Sequence, residues 1–364
     1  MKKVLCLIDG LGQGGAERQM VGLAHYLQER GYAVTLASYH GKNFYADLIR
    51  EYGLRHVFLE GLDNPWQKFT RIGSFIKKNR FDCVIAYKNG TTLLASLIRC
   101  FYGPFRLIVS ERNASQRLTF RERIKFISYR AADYVVPNSH TQKCFIDEHF
   151  SWLRKKNVCI TNFTDTEYFR PAASRVDNPV FTVVVAARFA PQKNQLLFLD
   201  ALDIVRKRGV PLKIKWFGNI SAGEESYKEQ CLKKVQESGL EEYIAFYPAS
   251  NQILDEYQHC DAFCLPSVYE GFPNVICEAM SCGKPVLCSR ICDNPYLVED
   301  GRNGLMFDPT DPEDIADALC KAVSMSKEDL RSMGDAGRTM AVGQLSEEAF
   351  IDKYIRLIEN GNEE

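Results

Sequence analysis

The sequence has no long apolar run, no C-x-x-C cysteine pair and no net charge. None of its apolar stretches approaches the roughly 18–20 residues that cross a bilayer, and no N-terminal stretch has the pattern of a secretory signal. The 13 cysteines are scattered, and Cys260 and Cys264 have no His or Cys neighbours at zinc-ligand spacing. We therefore expect a cytoplasmic protein with reduced thiols and no bound metal.

Repeats of solenoid period and low-complexity tracts are also missing. With 46% hydrophobic residues, this composition indicates packed domains rather than disorder. The 364 residues contain a steady alternation of apolar strand-like runs, such as "KVLCLID" and "FTVVVAAR", with helix-length amphipathic stretches. Repeated β–α units of this kind predict an α/β fold with parallel, doubly wound sheets.

The stretch "YFRPAASRVDNP" contains two prolines and no apolar periodicity, so we interpret it as a linker. We predict one Rossmann-like domain over residues 1–172 and a second over 173–345. Residues 346–364 are expected to form a C-terminal helix that packs back on the first domain. Because ligands of parallel sheets bind beyond the carboxyl ends of the strands, we expect a site in a cleft between the two domains.

Several glycines follow the first strand-like run, in the loop "GLGQGGAE". Gly10, Gly12 and Gly15 match the G-x-G-x-x-G pattern of dinucleotide binding. That pattern needs an acidic residue at the end of the second strand, but this strand ends in "SYH", so NAD or FAD binding is disfavoured. Gly14 and Gly15 either form a tight turn without a ligand or leave helix N–H groups open to an anionic or hydroxyl-rich ligand.

A second informative block, "LPSVYEGFPNVICEAMSCGKPVL", covers residues 265–287. We place Pro273 in the first turn of a helix that Gly283 ends at its C′ position. Glu270 stands at the mouth of the helix start, and Glu278 follows eight residues later. Free backbone N–H groups at the helix start predict an anion site formed by Gly271, Phe272, Asn274 and Val275.

The E-x7-E spacing of Glu270 and Glu278 resembles the signature of the retaining glycosyltransferases of family 4. Four further blocks resemble that family and occur in order: "GGAE" at 14–17, "VCITNFTDTEYFRP", "AARFAPQKN" with Arg188 and Lys193 at R-x4-K spacing, and "EDGRNGLMFDPTDPEDIADAL". The resemblance spans nearly the whole chain and extends to a subgroup that builds bacterial capsule, exopolysaccharide or O-antigen chains. It implies the GT-B fold, with an acceptor-side first domain and a second domain that binds the nucleotide-sugar donor.

The resemblance also implies the reaction, which is transfer of a sugar from a UDP-sugar to a lipid-linked or polysaccharide acceptor. Arg188 and Lys193 would meet the diphosphate, Glu278 the ribose hydroxyls and Glu270 the donor-sugar hydroxyls. The remaining donor contacts would come from Gly14, Gly15, Gly218, residues 247–249 and the helix start at 271–275. No strand is followed by D-x-D, so we expect no metal or other cofactor. The resemblance also implies retention of the anomeric configuration, which we expect to occur by a front-side displacement.

The chain departs from the family pattern at two places. Arg112 stands in "ERN" where many relatives have a His near the donor sugar, and an arginine cannot act as a base near neutral pH. We assign Arg112, together with Lys88, to binding the acceptor or the donor sugar. Tyr296 replaces a Glu of the family, which weakens the case for a nucleotide contact there.

The zero net charge conceals a split, since residues 1–175 contain 27 basic and 15 acidic residues and the remainder contain 19 and 31. The basic excess is concentrated in residues 66–80 and 99–130, where cations alternate with apolar residues. This pattern favours peripheral binding at the inner face of an anionic cytoplasmic membrane, although ordinary solvated helix faces would also produce it. No nucleic-acid module is evident, so we expect no nucleic-acid partner.

Two other kinds of protein could share these motifs. Another GT-B enzyme, such as a sugar-nucleotide epimerase, would need an acid–base pair, and none is evident. A non-catalytic sugar-nucleotide-binding protein would not need to keep Arg188, Lys193, Glu270 and Glu278 together. The sequence therefore favours a glycosyltransferase.

Overall fold

The computed structural model describes residues 1–41, 43–62, 64–112, 115, 117–174, 177–250 and 252–359. The chain forms two compact units. The first combines residues 1–163 with the C-terminal segment from Glu347, and the second covers Thr164–Ser346. The boundary between the units thus precedes the stretch expected as a linker, whose residues 175 and 176 lie outside the described residues.

The first unit is built on a parallel six-stranded sheet with the order β3-β2-β1-β4-β5-β6. Its strands are β1 (Lys3–Leu7), β2 (Ala33–Ser38), β3 (His56–Phe58), β4 (Cys83–Tyr87), β5 (Arg106–Glu111) and β6 (Tyr134–Pro137). Its first six helices are α1 (Gly15–Glu29), α2 (Ala46–Glu51), α3 (Pro65–Asn79), α4 (Asn89–Tyr102), α5 (Phe120–Ser128) and α6 (His140–His149). Two 3₁₀ turns follow α5 and α6, at Tyr129–Ala131 and Ser151–Lys156.

Side chains alternate across this sheet, as the two-residue period of a strand requires. Val4 and Cys6 of β1 lie in a core that also contains residues of α1 and α2. Leu5 and Leu7 lie in a second core, on the opposite face, with residues of α3, α4 and α5. Because β1 is covered on both faces, its continuous apolar run is that of a central parallel strand.

The second unit repeats this architecture with the strand order β12-β11-β10-β7-β8-β9. Its strands are β7 (Phe181–Ala186), β8 (Leu212–Phe217), β9 (Ile244–Tyr247), β10 (Ala262–Leu265), β11 (Val286–Ser289) and β12 (Gly304–Phe307). Its helices are α7 (Gln195–Lys207), α8 (Glu225–Glu237), α9 (Ile253–His259), α10 (Asn274–Ser281), α11 (Asn294–Leu297), α12 (Pro312–Ser324) and α13 (Lys327–Met340), and a π-helical turn spans Ala341–Leu345. The predicted α/β class with two doubly wound parallel sheets is confirmed.

The last helix, α14 (Glu347–Glu359), belongs to the first unit. Its buried residues Phe350, Ile351 and Tyr354 share a core with Val4 of β1. An ion pair of 2.5 Å between Lys2 and Glu359 lies at the end of this contact. The amphipathic face of α14 therefore covers the same side of the first sheet as α1.

Both sheets reverse their strand order beside their first strand. In the first sheet β2 lies on one side of β1 and β4 on the other, and in the second sheet β8 and β10 flank β7 in the same way. Loops leaving the carboxyl ends of strands at such a point diverge and open a crevice, which is where ligands of open α/β sheets bind. The fold therefore favours a ligand at the ends of β1 and β4 and at the ends of β7 and β10.

Candidate active site

Arg188 lies just beyond the carboxyl end of β7, at the reversal point of the second sheet. Its side chain is exposed, and within the described part of the chain its guanidinium has no hydrogen-bond or ion-pair partner. Its backbone carbonyl accepts a hydrogen bond of 2.9 Å from Gln195 Nε2, which fixes the main chain at this point. Arg188 thus presents a planar cation suited to phosphate oxygens at the ligand-binding edge.

Lys193 and Glu270 form an ion pair at the same edge. The Lys193 Nζ lies 2.5 Å from Glu270 Oε1, and the two side chains are 14% and 10% exposed. The sequence analysis gave these residues separate tasks, whereas the structure couples them. An ammonium has three donor hydrogens and a carboxylate has two acceptor oxygens, so each group keeps capacity for a ligand beyond the pair.

Two residues that the sequence analysis did not single out hold the loops of this pair together. Gln192 Nε2 donates to the Tyr269 carbonyl at 2.7 Å, and the Gln192 carbonyl accepts from the Val268 N–H at 3.0 Å. Asn194 has a left-handed backbone with a φ of 65°, and its amide donates to the Pro266 carbonyl at 3.1 Å. These bonds position Lys193 against Glu270. In the sequence, only the position of Gln192 and Asn194 on either side of Lys193 indicated a role for these two residues.

Helix α10 follows this loop and places Glu278 on its buried side. Glu278 is 8% exposed, and its Oε2 accepts a hydrogen bond from Tyr257 Oη at 3.4 Å. Burial, followed by the charge of Glu278, raises the pKa of Tyr257 well above its usual value, so the phenol remains a donor. Glu278 is consequently a fixed hydrogen-bond acceptor within α10, whereas Glu270 lies in the loop before this helix.

The start of α10 differs in detail from the prediction. Pro273 is the N-cap residue, with a ψ of 75°, rather than part of the first helical turn, and the helix begins at Asn274. The Asn274 N–H donates to the Phe272 carbonyl at 3.0 Å, so it is not one of the free N–H groups expected there. Gly283 has a φ of 69° and ends the helix at C′, as predicted.

Gly218 lies at the carboxyl end of β8, where the backbone comes close to β7. A Cβ added at Gly218 would lie 2.1 Å from the Ala187 carbonyl oxygen. That oxygen already accepts a hydrogen bond of 2.7 Å from the indole of Trp216. Only glycine fits this position, because both contacting groups are fixed. Beside it, the ring of Tyr247 stacks on Phe217 and is 40% exposed, which leaves an aromatic surface at the edge.

At the reversal point of the first sheet, Lys88 joins two carboxylates. Its Nζ lies 3.0 Å from Asp9 Oδ1 and 2.6 Å from Glu17 Oε1. Burial lowers the pKa of Lys88, but the bonds to Glu17 and Asp9 outweigh burial and leave the pKa raised. Lys88 therefore stays charged at neutral pH, where it is paired with the two carboxylates.

The position of Glu17 changes the interpretation of the glycine loop. Gly14 is the N-cap of α1 and Gly15 its first, exposed residue. A Cβ added at Gly14 would lie 2.4 Å from Glu17 Oε2, so the carboxylate occupies the space beside the loop. An acid in the first turn already satisfies the positive end of the helix. The loop is therefore bordered by the Glu17 carboxylate, and an anionic or hydroxyl-rich ligand at Gly14 and Gly15 remains a prediction.

Arg112 is committed to contacts within the first unit rather than being open to a ligand. Its guanidinium donates to Asn162 Oδ1 at 2.7 Å, to Tyr354 Oη of α14 at 3.0 Å, and to the hydroxyl of Tyr87. It also stacks 3.9 Å from the centroid of the Tyr87 ring. These contacts give Arg112 a structural role within the first unit, and its assignment to substrate binding remains a prediction. Its neighbour Asn113 in "ERN" lies outside the described residues.

The remaining expectations concern metals, membranes and position 296. Among the described residues, no group of three or more His, Cys, Asp or Glu side chains could hold a metal ion. None of the described helices combines the length and apolarity needed to cross a bilayer. Tyr296, in α11, is 52% exposed. Gly14, Gly15, Lys88 and Arg112 belong to the first unit, and the other candidate residues belong to the second.

Comparison with known proteins gives two family matches, which together cover both units. Residues 13–168 match "Glycosyltransferase Family 4", and residues 167–340 match "Glycosyl transferases group 1". The lipopolysaccharide core biosynthesis glycosyltransferase LpsE of Rhizobium meliloti is 26% identical over 353 residues, which are 95% of this chain and 96% of LpsE.

A second relative is named N-acetylgalactosamine-N,N'-diacetylbacillosaminyl-diphospho-undecaprenol 4-alpha-N-acetylgalactosaminyltransferase, from Campylobacter jejuni. It is 26% identical over 308 residues, which are 79% of this chain and 81% of the relative. Among solved structures, Anabaena HepE in complex with UDP superposes with a TM-score of 0.84 at 18% identity, over 98% of this chain and 99% of HepE. This likeness shows a shared GT-B fold. The chain is therefore a glycosyltransferase, whose first unit matches family 4 and whose second unit matches group 1.

Proposed function

We propose that this enzyme is a retaining glycosyltransferase that moves a sugar from a UDP-sugar to a lipid-linked or polysaccharide acceptor in bacterial surface-glycan synthesis. The observation that carries the proposal is that the Lys193–Glu270 ion pair and Arg188, which has no side-chain partner among the described residues, both lie at the reversal point of the second sheet. UDP as the carrier is supported by the HepE structure, which is a complex with UDP. The acceptor class is supported by relatives named for lipopolysaccharide core biosynthesis and for a diphospho-undecaprenol acceptor.

The chemistry of the proposal follows from the charges at this edge. Breaking the anomeric C–O bond transfers negative charge to the diphosphate, while the sugar becomes oxocarbenium-like. Arg188 can bind phosphate oxygens with its fork, and Lys193 can donate its remaining hydrogens to the same diphosphate. Two protein cations then supply the stabilisation that a divalent ion supplies in metal-dependent enzymes, so we propose a metal-independent reaction without another cofactor.

The carboxylates take the hydroxyl groups of the donor in this proposal. Glu278 accepts hydrogen bonds from the ribose, and Glu270 accepts them from the donor sugar through the oxygen that does not face Lys193. Gly218 lets the nucleotide approach the backbone, and the stacked Tyr247 borders the base. The N–H groups of Gly271, Phe272 and Val275 complete the site.

Retention is proposed to occur by front-side displacement. The bond from the anomeric carbon to the leaving phosphate oxygen breaks as the bond to the acceptor oxygen forms on the same face. The acceptor proton passes to that phosphate oxygen. Pairing of Glu270 with Lys193 supports this route, because a carboxylate held by an ammonium at 2.5 Å is a poor nucleophile.

The first unit is proposed to bind the acceptor. Asp9, Glu17 and Lys88 form a set of acceptor and donor groups that suits sugar hydroxyls better than a diphosphate. Gly14 and Gly15 let those hydroxyls approach the start of α1. With a lipid-linked acceptor, the enzyme would work as a peripheral protein at the cytoplasmic face of the membrane.

A donor screen tests the proposal. The enzyme is incubated with a panel of UDP- and GDP-sugars, with and without a sugar linked to a lipid diphosphate, and release of nucleoside diphosphate is measured. We expect acceptor-dependent release of UDP with one member of the panel. No release from any donor, or conversion of the donor sugar without release, would overturn it in favour of a binding protein or an epimerase.

A further inference from the structure

The two faces of the first sheet differ sharply in charge. On one face, α3, α4 and α5 carry eight basic residues and one acid, Glu122. On the other face, α1, α2 and α14 carry four basic and eight acidic residues. We name the surface of α3, α4 and α5 the basic face. The sequence shows the basic excess of residues 66–80 and 99–130, whereas the acidic side becomes evident only in the fold, because α14 joins it from the far end of the chain.

The basic face also carries the exposed apolar side chains of the first unit's helices. Among the described residues, the large hydrophobic side chains that are exposed on those helices all belong to α3, α4 and α5, and α1, α2 and α14 have none. They are Trp66 (72% exposed), Leu97 (44%), Phe101 (75%), Phe120 (77%), Ile124 (45%) and Ile127 (50%). A solvated helix would expose such residues singly, whereas a shared face indicates an interaction surface.

The apolar residues form continuous patches rather than isolated points. Phe69 of α3 contacts the ring of Trp66 at 5.9 Å and the ring of Phe101 on α4 at 5.6 Å. On α5, Phe120, Ile124 and Ile127 follow the i, i+4, i+7 spacing of one helical stripe, with Arg121 and Arg123 beside it. Aromatic and aliphatic side chains interleaved with cations are the composition of a helix surface that lies in a lipid headgroup layer.

The basic face borders the ligand-binding edge of the first sheet. Lys125 of α5 pairs with Glu111, the last residue of β5, at 2.5 Å. Lys68 of α3 hydrogen-bonds through Nζ to His40, just beyond β2, at 2.8 Å. The parts of α3 and α5 around Lys68 and Lys125 are therefore adjacent to the carboxyl ends of these strands, where the sugar of a membrane-borne acceptor would arrive.

We infer that the basic face of α3, α4 and α5 is the surface that binds an anionic bilayer, with Trp66 and the Phe120–Ile124–Ile127 stripe inserted among the headgroups. This inference rests on the lipid-linked acceptor of the proposed function and assigns the residues that meet the lipid. Charge complementarity selects a lipid surface, because phospholipid headgroups neutralise the cations while the acyl boundary accepts the apolar side chains. The acidic face turns away from that surface.

The three tryptophans of the chain provide the test. Trp66 lies on the basic face, Trp152 is half-exposed on the same side of the sheet, and Trp216 is fully buried in the second unit. In Trp152→Phe, the fluorescence of Trp66 is recorded with vesicles of phosphatidylglycerol and phosphatidylcholine that contain brominated acyl chains. We expect a blue shift and quenching that disappear in neutral phosphatidylcholine vesicles and at high salt.

Charge variants separate this face from the overall charge of the protein. Lys77→Gln, Lys78→Gln and Arg123→Gln together should weaken binding to phosphatidylglycerol vesicles about a hundredfold, as expected for three cations near an anionic surface. The matched control replaces the exposed Lys213, Lys233 and Lys321 of the second unit with Gln, which removes the same charge and should leave binding unchanged. Equal binding of the two variants, no quenching of Trp66, or burial of Trp66 by self-association without vesicles would overturn the inference.

A parallel measurement of UDP binding distinguishes a failure of the membrane inference from a failure of the proposed function. UDP binding is measured by calorimetry without lipid for the wild type and the basic-face variant. UDP binding with no vesicle binding would overturn the membrane surface and leave the donor site intact. Vesicle binding without UDP binding would support the basic face and count against the proposed donor.

Discussion

Lys193 and Glu270, 77 positions apart in the chain, form an ion pair of 2.5 Å between the loops that leave β7 and β10. These loops diverge from the reversal point of the second sheet, so the pair stands where the fold favours a ligand. Hydrogen bonds from Gln192 and Asn194 fix the loops against each other. The proposed binding of the donor diphosphate by Lys193 and of the donor sugar by Glu270 depends on this ion pair.

Lys193→Met should reduce kcat for UDP-sugar turnover by about 10²–10³, because one group that stabilises developing charge is lost. Glu270, which is 8% exposed, would also be left buried without its ammonium. The measurement is UDP release at saturating donor. Lys207→Met serves as the control, since Lys207 is 65% exposed and pairs with Asp203 on the helix surface. Equal losses in the two variants would contradict the assignment.

Glu278→Gln should weaken UDP binding by about tenfold to a hundredfold, since a charge-assisted hydrogen bond contributes about 1.5–3 kcal/mol. Gln keeps the size of the side chain and can still accept from Tyr257, so the fold should be retained. Calorimetry with UDP measures the effect. Tyr257→Phe, which removes the other half of that hydrogen bond, should change stability more than UDP affinity. If the reverse holds, Glu278 is structural.

Arg112→Met should lower the free energy of unfolding by about 3 kcal/mol, because three hydrogen bonds to a charged group are lost, while the hydroxyls of Tyr87 and Tyr354 keep only the bond between them. The KM for the donor should stay within about twofold, as Arg112 is tied to Tyr87, Tyr354 and Asn162. Thermal unfolding and steady-state kinetics separate the two effects. Arg50→Met, at a side chain 80% exposed in the same unit, should change stability by less than about 0.5 kcal/mol. An increase in KM with no loss of stability would restore Arg112 to the substrate site.

Gly218→Ala should destabilise the second unit by about 2 kcal/mol, because its Cβ would lie 2.1 Å from the Ala187 oxygen and the strand ends would have to separate. UDP affinity should fall with it, since this edge borders the proposed base site. Gly343→Ala is the control, as an added Cβ there meets no described atom within 4 Å. Denaturant unfolding of both variants provides the comparison.

Prolonged treatment with EDTA should leave the rate of UDP release unchanged, because the proposed mechanism assigns charge stabilisation to Arg188 and Lys193. The treated enzyme is assayed in metal-free buffer and again after addition of Mg²⁺ or Mn²⁺. A loss of more than about tenfold that either ion restores would contradict the metal-independent mechanism.

The architecture was predictable because local signals agreed with the final fold. Buried parallel strands produce near-continuous apolar runs, and the strand-like run "FTVVVAAR" contains the whole of β7. The start of α10 was less accurate, since proline is compatible both with an N-cap and with the first turn. The boundary between the units was placed too late, because the apolar and polar pattern does not show which sheet the stretch before residue 172 packs against.

The candidate site was predictable in its parts but not in its pairings. The family resemblance identified Arg188, Lys193, Glu270 and Glu278, whereas only the fold shows that Lys193 is paired and that Arg188 has no side-chain partner among the described residues. Arg112 was assigned to a ligand because it stands where many relatives have a His, and the sequence does not show its contact with Tyr354, which lies 242 positions away on α14. Glu17 lies within the "GGAE" block, yet its return towards Gly14 depends on side-chain geometry that the letters do not contain.

The most direct test of the central claim is acceptor-dependent UDP release by the wild type, by Lys193→Met and by Glu278→Gln, under identical donor and acceptor concentrations. The account predicts turnover by the wild type, a loss of kcat in Lys193→Met and a loss of donor affinity in Glu278→Gln. Turnover by both variants at the wild-type rate and affinity would show that the donor does not bind at the ends of β7 and β10.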